Sequence, residues 1–94
     1  MDRPLILVTN DDGIASPAIE VLAKSLEPLG EVWVFAPDRE QSAVGHGVSL
    51  HRPLRVKEVR PRWHMIDGTP ADCVLLAVRQ LLPRKPSLVF SGIN

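Results

Sequence analysis

Two adjacent carboxylates, Asp11 and Asp12, stand between Asn10 and Gly13, directly after the apolar run Leu5-Ile6-Leu7-Val8. That run is too short for a helix and is made of strand formers. A central strand of a parallel α/β sheet that ends in such a turn delivers it to the edge where these folds place ligands. Neighbouring carboxylates repel, and a hard divalent cation bound through oxygen relieves the repulsion. Asn, Asp and Gly also make ordinary solvated turns. The rest of the chain decides between these readings.

The elements that must position the pair follow in order. Ser16-Pro17 reads as an N-cap and first helical residue, and Ile19, Leu22, Leu26 and Leu29 form the apolar stripe of a helix closed by Pro28 and Gly30. Val32 to Ala36 is continuously apolar, as expected of a strand buried on both faces. A polar loop without periodicity runs from Pro37 to Gly47 and leaves the same sheet edge as the acidic turn. Val48-Ser49-Leu50 and Leu54 to Val59 alternate like partly exposed strands, and Trp63 to Ile66 is a further short strand. Thr69-Pro70 repeats the cap pattern before a second helix, whose expected buried stripe is Ala71, Val74, Leu75, Val78 and Leu82. Ser87 to Phe90 is expected to be a last buried parallel strand. Fold class is therefore α/β, with a mainly parallel sheet.

Composition narrows the function. The 94 residues are 45% hydrophobic and 23% charged, enough for one domain or part of one with a modest core. Eleven basic residues balance eleven acidic ones, which argues against a nucleic-acid polymer as partner and for a small ligand. No stretch is apolar for long enough to be a signal core or a membrane span, so a cytoplasmic location is expected. The single cysteine, Cys73, excludes an internal disulfide and reads as a buried, inert thiol.

Several polar groups leave the same edge. Asp11 and Asp12 follow the first strand, Ser42 lies in the loop after the second, and Asn94 follows the last. If those strands are parallel neighbours, the four side chains can meet in an all-oxygen site suited to magnesium or manganese. The two carboxylates would neutralise the ion, so that a phosphate dianion meets no net negative wall.

These residues also resemble a known family. Leu7-Val8-Thr9-Asn10-Asp11-Asp12-Gly13-Ile14 is similar to the opening signature of the SurE family of 5'/3'-nucleotidases, the stationary-phase survival proteins. Ala36-Pro37-Asp38-Arg39-Glu40-Gln41-Ser42 with Val44-Gly45-His46, Leu50-His51-Arg52-Pro53-Leu54, Gly68-Thr69-Pro70-Ala71-Asp72-Cys73-Val74 and Ser91-Gly92-Ile93-Asn94 resemble four further blocks in the family's order. The resemblance implies a Rossmann-like three-layer sandwich and a metal-dependent phosphatase of nucleoside monophosphates. The divalent ion would be held by Asp11, Asp12, Ser42 and Asn94. It also implies a homodimer or homotetramer, action on short polyphosphate in some members, and residues 1–94 as the N-terminal part of one domain, the chain stopping soon after the strand that ends near Ser91. Ala43 departs from the family's usual glycine, and members continue well beyond the asparagine.

The reaction expected is hydrolysis of a phosphomonoester by metal-activated water. A competing route makes Asp11 or Asp12 a nucleophile. Asn10 and Thr69 are candidates for binding substrate; plain structural roles compete, a strand-ending turn for Asn10 and an N-cap for Thr69. His46 and His51 are candidate general acids, with ordinary loop hydrogen bonding as the alternative, and His64 reads as structural. Arg39, Arg52 and Arg55 could attract phosphate or simply pair with nearby carboxylates. Trp33 reads as core, and Trp63 could lie at an interface. The alternative function is a metal- or nucleotide-binding fragment without catalysis. The absence of a Gly-rich dinucleotide fingerprint after the first strand weighs against the nucleotide-binding form.

Overall fold

The first apolar run forms β1 (Leu5–Thr9), and all five of its residues are buried. A strand with no solvated face needs a layer on each side, and the remaining elements supply both. The computed structural model describes residues 3–40, 47 and 53–92. After β1 come α1 (Pro17–Leu26), β2 (Glu31–Pro37), β3 (Val56–Arg60), β4 (Trp63–Ile66) and α2 (Pro70–Leu76), which runs into a π-helical segment, Ala77–Leu81, before β5 (Leu88–Ser91).

The five strands of the described residues lie in the order β3-β4-β2-β1-β5. β1 is parallel to both β2 and β5, β2 is parallel to β4, and only β3 is antiparallel to its neighbour β4. Side chains of β1 alternate between two cores. Ile6 and Val8 pack with Ile19, Ala23 and Leu26 of α1 and with Val32, Val34 and Ala36 of β2. Leu7 packs on the other face with Phe35, Ile66, Cys73 and Ala77. Each fully buried Leu, Ile or Phe contributes roughly 1.5–3 kcal/mol of transfer free energy. The result is a three-layer α/β/α arrangement with a mainly parallel sheet, as expected. Among the described residues no helix is long and apolar enough to cross a membrane.

Some expectations need correction. Leu29 is 62% exposed rather than part of the α1 stripe. Pro28 has no N–H to continue the helix, α1 ends at Leu26, and the turn that follows rotates Leu29 outward. Ala23 takes the buried place. In that turn Gly30 passes the carbonyl of Pro4 so closely that a Cβ would lie 2.4 Å from it.

The second helix is rotated relative to its expected stripe. Cys73 and Ala77 are buried, with Val74 and Leu82 packed at the margin, while Leu75 and Val78 face solvent. Its small residues are the ones that press on the sheet, where Phe35 and Leu7 already fill the space. β5 is an edge strand among the described residues, with Leu88 and Val89 about half exposed, and β3 is exposed along its whole length. Trp33 is only partly buried: its ring nitrogen donates to Glu31 at 2.7 Å, and its ring stacks on His64 at 6.0 Å. The expected strand at Val48-Ser49-Leu50 lies outside the described residues.

Candidate active site

The chain leaves β1 for β2 on one side of the sheet and later enters β5 on the other side of β1. The carboxyl end of β1 is therefore a topological switch point, where open α/β sheets have a crevice. The acidic turn occupies it.

The turn is closed by Asn10. This side chain is completely buried, its Oδ1 accepts the Gly13 N–H at 3.0 Å, and its Nδ2 donates to the Gly13 carbonyl at 3.0 Å. Gly13 has φ +97, a region that costs an L side chain, and a Cβ there would lie 3.0 Å from the carbonyl carbon of Arg39. Two neighbouring strands fix the turn from either side. The Ile14 N–H donates to the Pro37 carbonyl at 2.8 Å, and the Gly92 N–H donates to the Thr9 carbonyl at 3.0 Å. Asp11 and Asp12 are half-buried on this frame. A pair of carboxylates offers hard oxygen donors, so the donor chemistry fits a magnesium or manganese ion. Among the described residues, no group of three or more His, Cys, Asp and Glu side chains converges on one point.

Ser42 and Asn94 lie outside the described residues, as do His46, His51 and Arg52. The described chain reaches Glu40 after β2, and Gly92 is hydrogen-bonded beside the acidic turn after β5.

Thr69 is the N-cap of α2. Its Oγ1 accepts the Asp72 N–H at 3.1 Å and donates to the Gly47 carbonyl at 2.7 Å, while its own N–H donates to Asp72 Oδ2 at 2.8 Å. This is a capping box, and it engages the Thr69 hydroxyl as both donor and acceptor. Asp72, fully buried, is a structural residue of that box. The Thr-x-x-Asp spacing was the available signal for it.

His64 lies on β4, away from the acidic turn, with its ring stacked at 4.4 Å on Phe35. Burial lowers its pKa, and Glu58, with an oxygen 3.8 Å from Nε2, opposes the shift in part. Cys73 is buried, and its thiol is pushed up to about 12 by burial and then by the charge of Asp72, which leaves it an inert thiol at neutral pH.

Fold and site together define a Rossmann-like α/β domain with an acidic turn at its switch point. Residues 6–94 match the family described as "Survival protein SurE", and the chain belongs to that family. It is 61% identical over 90 residues to a protein of Myxococcus xanthus named 5'-nucleotidase SurE, covering 95% of this chain and 34% of that protein. A protein of the same name from Pelobacter propionicus is 57% identical, with 95% and 36% covered. The crystal structure of the SurE protein from Aquifex aeolicus superposes with a TM-score of 0.93 at 47% identity, covering 97% of this chain and 38% of that one. The chain thus spans about a third of the length of the curated relatives it matches.

Proposed function

We propose that this chain carries part of the active site of a metal-dependent phosphomonoesterase that removes phosphate from nucleoside 5'- and 3'-monophosphates. The observation that supports it most is the acidic turn, held at the switch point by Asn10 and by hydrogen bonds to the ends of β2 and β5. The names of the relatives point the same way. Asp11 and Asp12 would hold one divalent ion, magnesium or manganese, with Ser42 and Asn94 as further oxygen donors. When bound, that ion supplies charge stabilisation at the phosphoryl group and lowers the pKa of water.

The residues of the chain itself have simpler tasks. Asn10 and Gly13 fix the direction of the two carboxylates. The backbone of Pro37 and Gly92 keeps the turn from moving when a charged ligand arrives, so little reorganisation is needed. Because Asn10 and Thr69 are committed to Gly13, Asp72 and Gly47, contact between either side chain and substrate would be made at the expense of those bonds. The same reading includes a cytoplasmic location and assembly into a homodimer or homotetramer.

The test is phosphate release from 5'-AMP by the full-length gene product, with manganese and with chelator. Release that requires the metal supports the reading. A folded, metal-loaded protein that frees no phosphate from any nucleoside monophosphate sinks it; binding of metal or nucleotide without turnover would then identify a non-catalytic module.

A further inference from the structure

A cleft of about 350 Å³ opens at the carboxyl edge on the far side of β2 from the acidic turn. Asp38 and Arg39 form one wall, Arg55 and Lys57 the other, with Met65 and Asp67 between them. Its shape follows from backbone bonds: the Asp38 N–H donates to the Ile66 carbonyl at 2.9 Å, and the Asp67 N–H to the Arg55 carbonyl at 3.2 Å. Lys57 and Met65 are register partners, and Arg55, two residues earlier, shares the side of the chain that Lys57 occupies.

The charges in the cleft are unevenly committed. Asp38 is paired with Arg39 at 3.4 Å, and Asp67 accepts the Arg55 N–H through Oδ1 at 2.7 Å. The Arg55 guanidinium and the Lys57 ammonium make no ion pair with any described residue. Among the described residues, three cationic side chains against two carboxylates give the cleft a positive excess in a chain with no net charge. A second cleft at the opposite sheet edge provides the contrast. Its Arg3 donates to the carbonyls of Glu27 and Gly30, and its Arg62 to that of Val32, so its arginines hold the fold together.

The basic cleft adjoins the acidic turn. Arg39, one of its walls, is the residue whose backbone packs on Gly13. Three strand spacings separate β3, which carries Lys57, from β1, roughly 14 Å, a gap that long side chains from both directions shorten. Resting on the nucleotidase reading above, we propose that this cleft is an anion subsite, holding a second phosphate group of the substrate while the acidic turn takes the first. Arg55 and Lys57 are its main contacts, with Arg39 at the rim. Nucleoside 3',5'-bisphosphates are then the preferred substrate class over monophosphates.

The experiment uses the full-length gene product with manganese, adenosine 3',5'-bisphosphate and 5'-AMP, beside the double variant Arg55→Gln/Lys57→Gln. The wild-type kcat/KM should favour the bisphosphate by about tenfold, the effect of one charge-assisted contact. That ratio should fall toward one in the double variant and in high salt, which screens exposed charges. Equal values for the two substrates in the wild type, or a ratio that the double variant leaves unchanged, overturn the proposal. Titration of the chelator-treated protein with inorganic pyrophosphate gives a readout without turnover. If neither nucleotide releases phosphate, but pyrophosphate binds the wild type and not the variant, the nucleotidase reading fails and the anion subsite stands. If inorganic phosphate binds through Arg55 and Lys57 while the bisphosphate has no advantage, the cleft serves free phosphate and the second-phosphate assignment is wrong. Lys57→Glu, at an exposed position, reverses one charge and should lower the ratio further; a matching circular dichroism melt excludes misfolding as the cause.

Discussion

The two segments that lead from a strand into a helix look alike in sequence and behave differently. Asn10-Asp11-Asp12-Gly13 before α1 and Asp67-Gly68-Thr69, continuing as Pro70-Ala71-Asp72 in the first turn of α2, both leave the same sheet edge, and both are rich in Asp and Gly. In the second segment carboxylates do the structural work. Asp67 accepts a backbone N–H from Arg55, and Asp72 accepts one from Thr69. In the first, that work falls to a neutral amide: Asn10 closes the turn on Gly13. Under the proposed function, a neutral closing residue suits a turn whose adjacent carboxylates hold a cation. An aspartate count alone would not separate these segments; the identity of the residue that closes each turn does.

The sharpest test of this difference is a pair of substitutions. Asp11→Asn in the full-length product should lower kcat/KM for 5'-AMP by at least about a hundredfold, since a metal-holding carboxylate contributes several kcal/mol to the transition state. Its melting temperature should change little. Asp72→Ala should do the reverse, costing about 1–3 kcal/mol of stability by leaving the Thr69 N–H without this acceptor in a part-buried cap. Its activity at a temperature where it remains folded should stay within a few-fold of wild type. If Asp72→Ala abolishes turnover while folded, or Asp11→Asn chiefly lowers stability, the division of labour is wrong.

Asn10→Ala comes next in size and joins the two effects. It removes both bonds to Gly13 from a buried position, a cost of about 1–3 kcal/mol. It also frees the direction of Asp11 and Asp12, so metal affinity should drop with stability. Calorimetric titration of manganese measures the first and a thermal melt the second. Unchanged metal affinity would show that the carboxylates do not depend on the closed turn.

Much of this is legible in the amino-acid sequence alone. Continuous apolar runs at β1 and β2 signalled strands covered on both faces, and Ser-Pro and Thr-Pro marked both helix starts. Leu29 was misplaced because periodicity counts spacing and ignores that Pro28 ends the helix that gives the spacing meaning. The α2 stripe was misplaced because Leu75 and Val78 outweigh Cys73 and Ala77 on any hydrophobicity count, whereas packing against Phe35 and Leu7 favours small residues. The acidic turn was legible from its residue types, but its rigidity was not, since the contact of Gly13 with Arg39 joins residues far apart in sequence. For the same reason the basic cleft was legible only in part: Arg39 and Arg55 stood out as residues that could attract phosphate, but they meet each other and Lys57 only through the β2–β4–β3 order.

The smallest expected effect concerns His64, which belongs to neither segment and serves as a control on the comparison. Its ring is stacked on Phe35, its Nδ1 is buried without a hydrogen-bond partner among the described residues, and burial lowers its pKa. The folded protein therefore binds the imidazole proton less tightly than the unfolded chain does. Stability from this group is complete above the unfolded value of about 6.5 and is lost as pH falls below it. Carboxylates also weaken the protein in acid, so the measurement is a difference. His64→Phe keeps the stack without the proton, and its stability should decline less between pH 7 and pH 5 than that of wild type in urea titrations. Activity at pH 7.5 should be nearly unchanged, because His64 sits on the β4 side of the sheet and touches neither the acidic turn nor its closing residue. Parallel pH dependences in the two proteins would mean that protonation of His64 is accommodated without opening the stack.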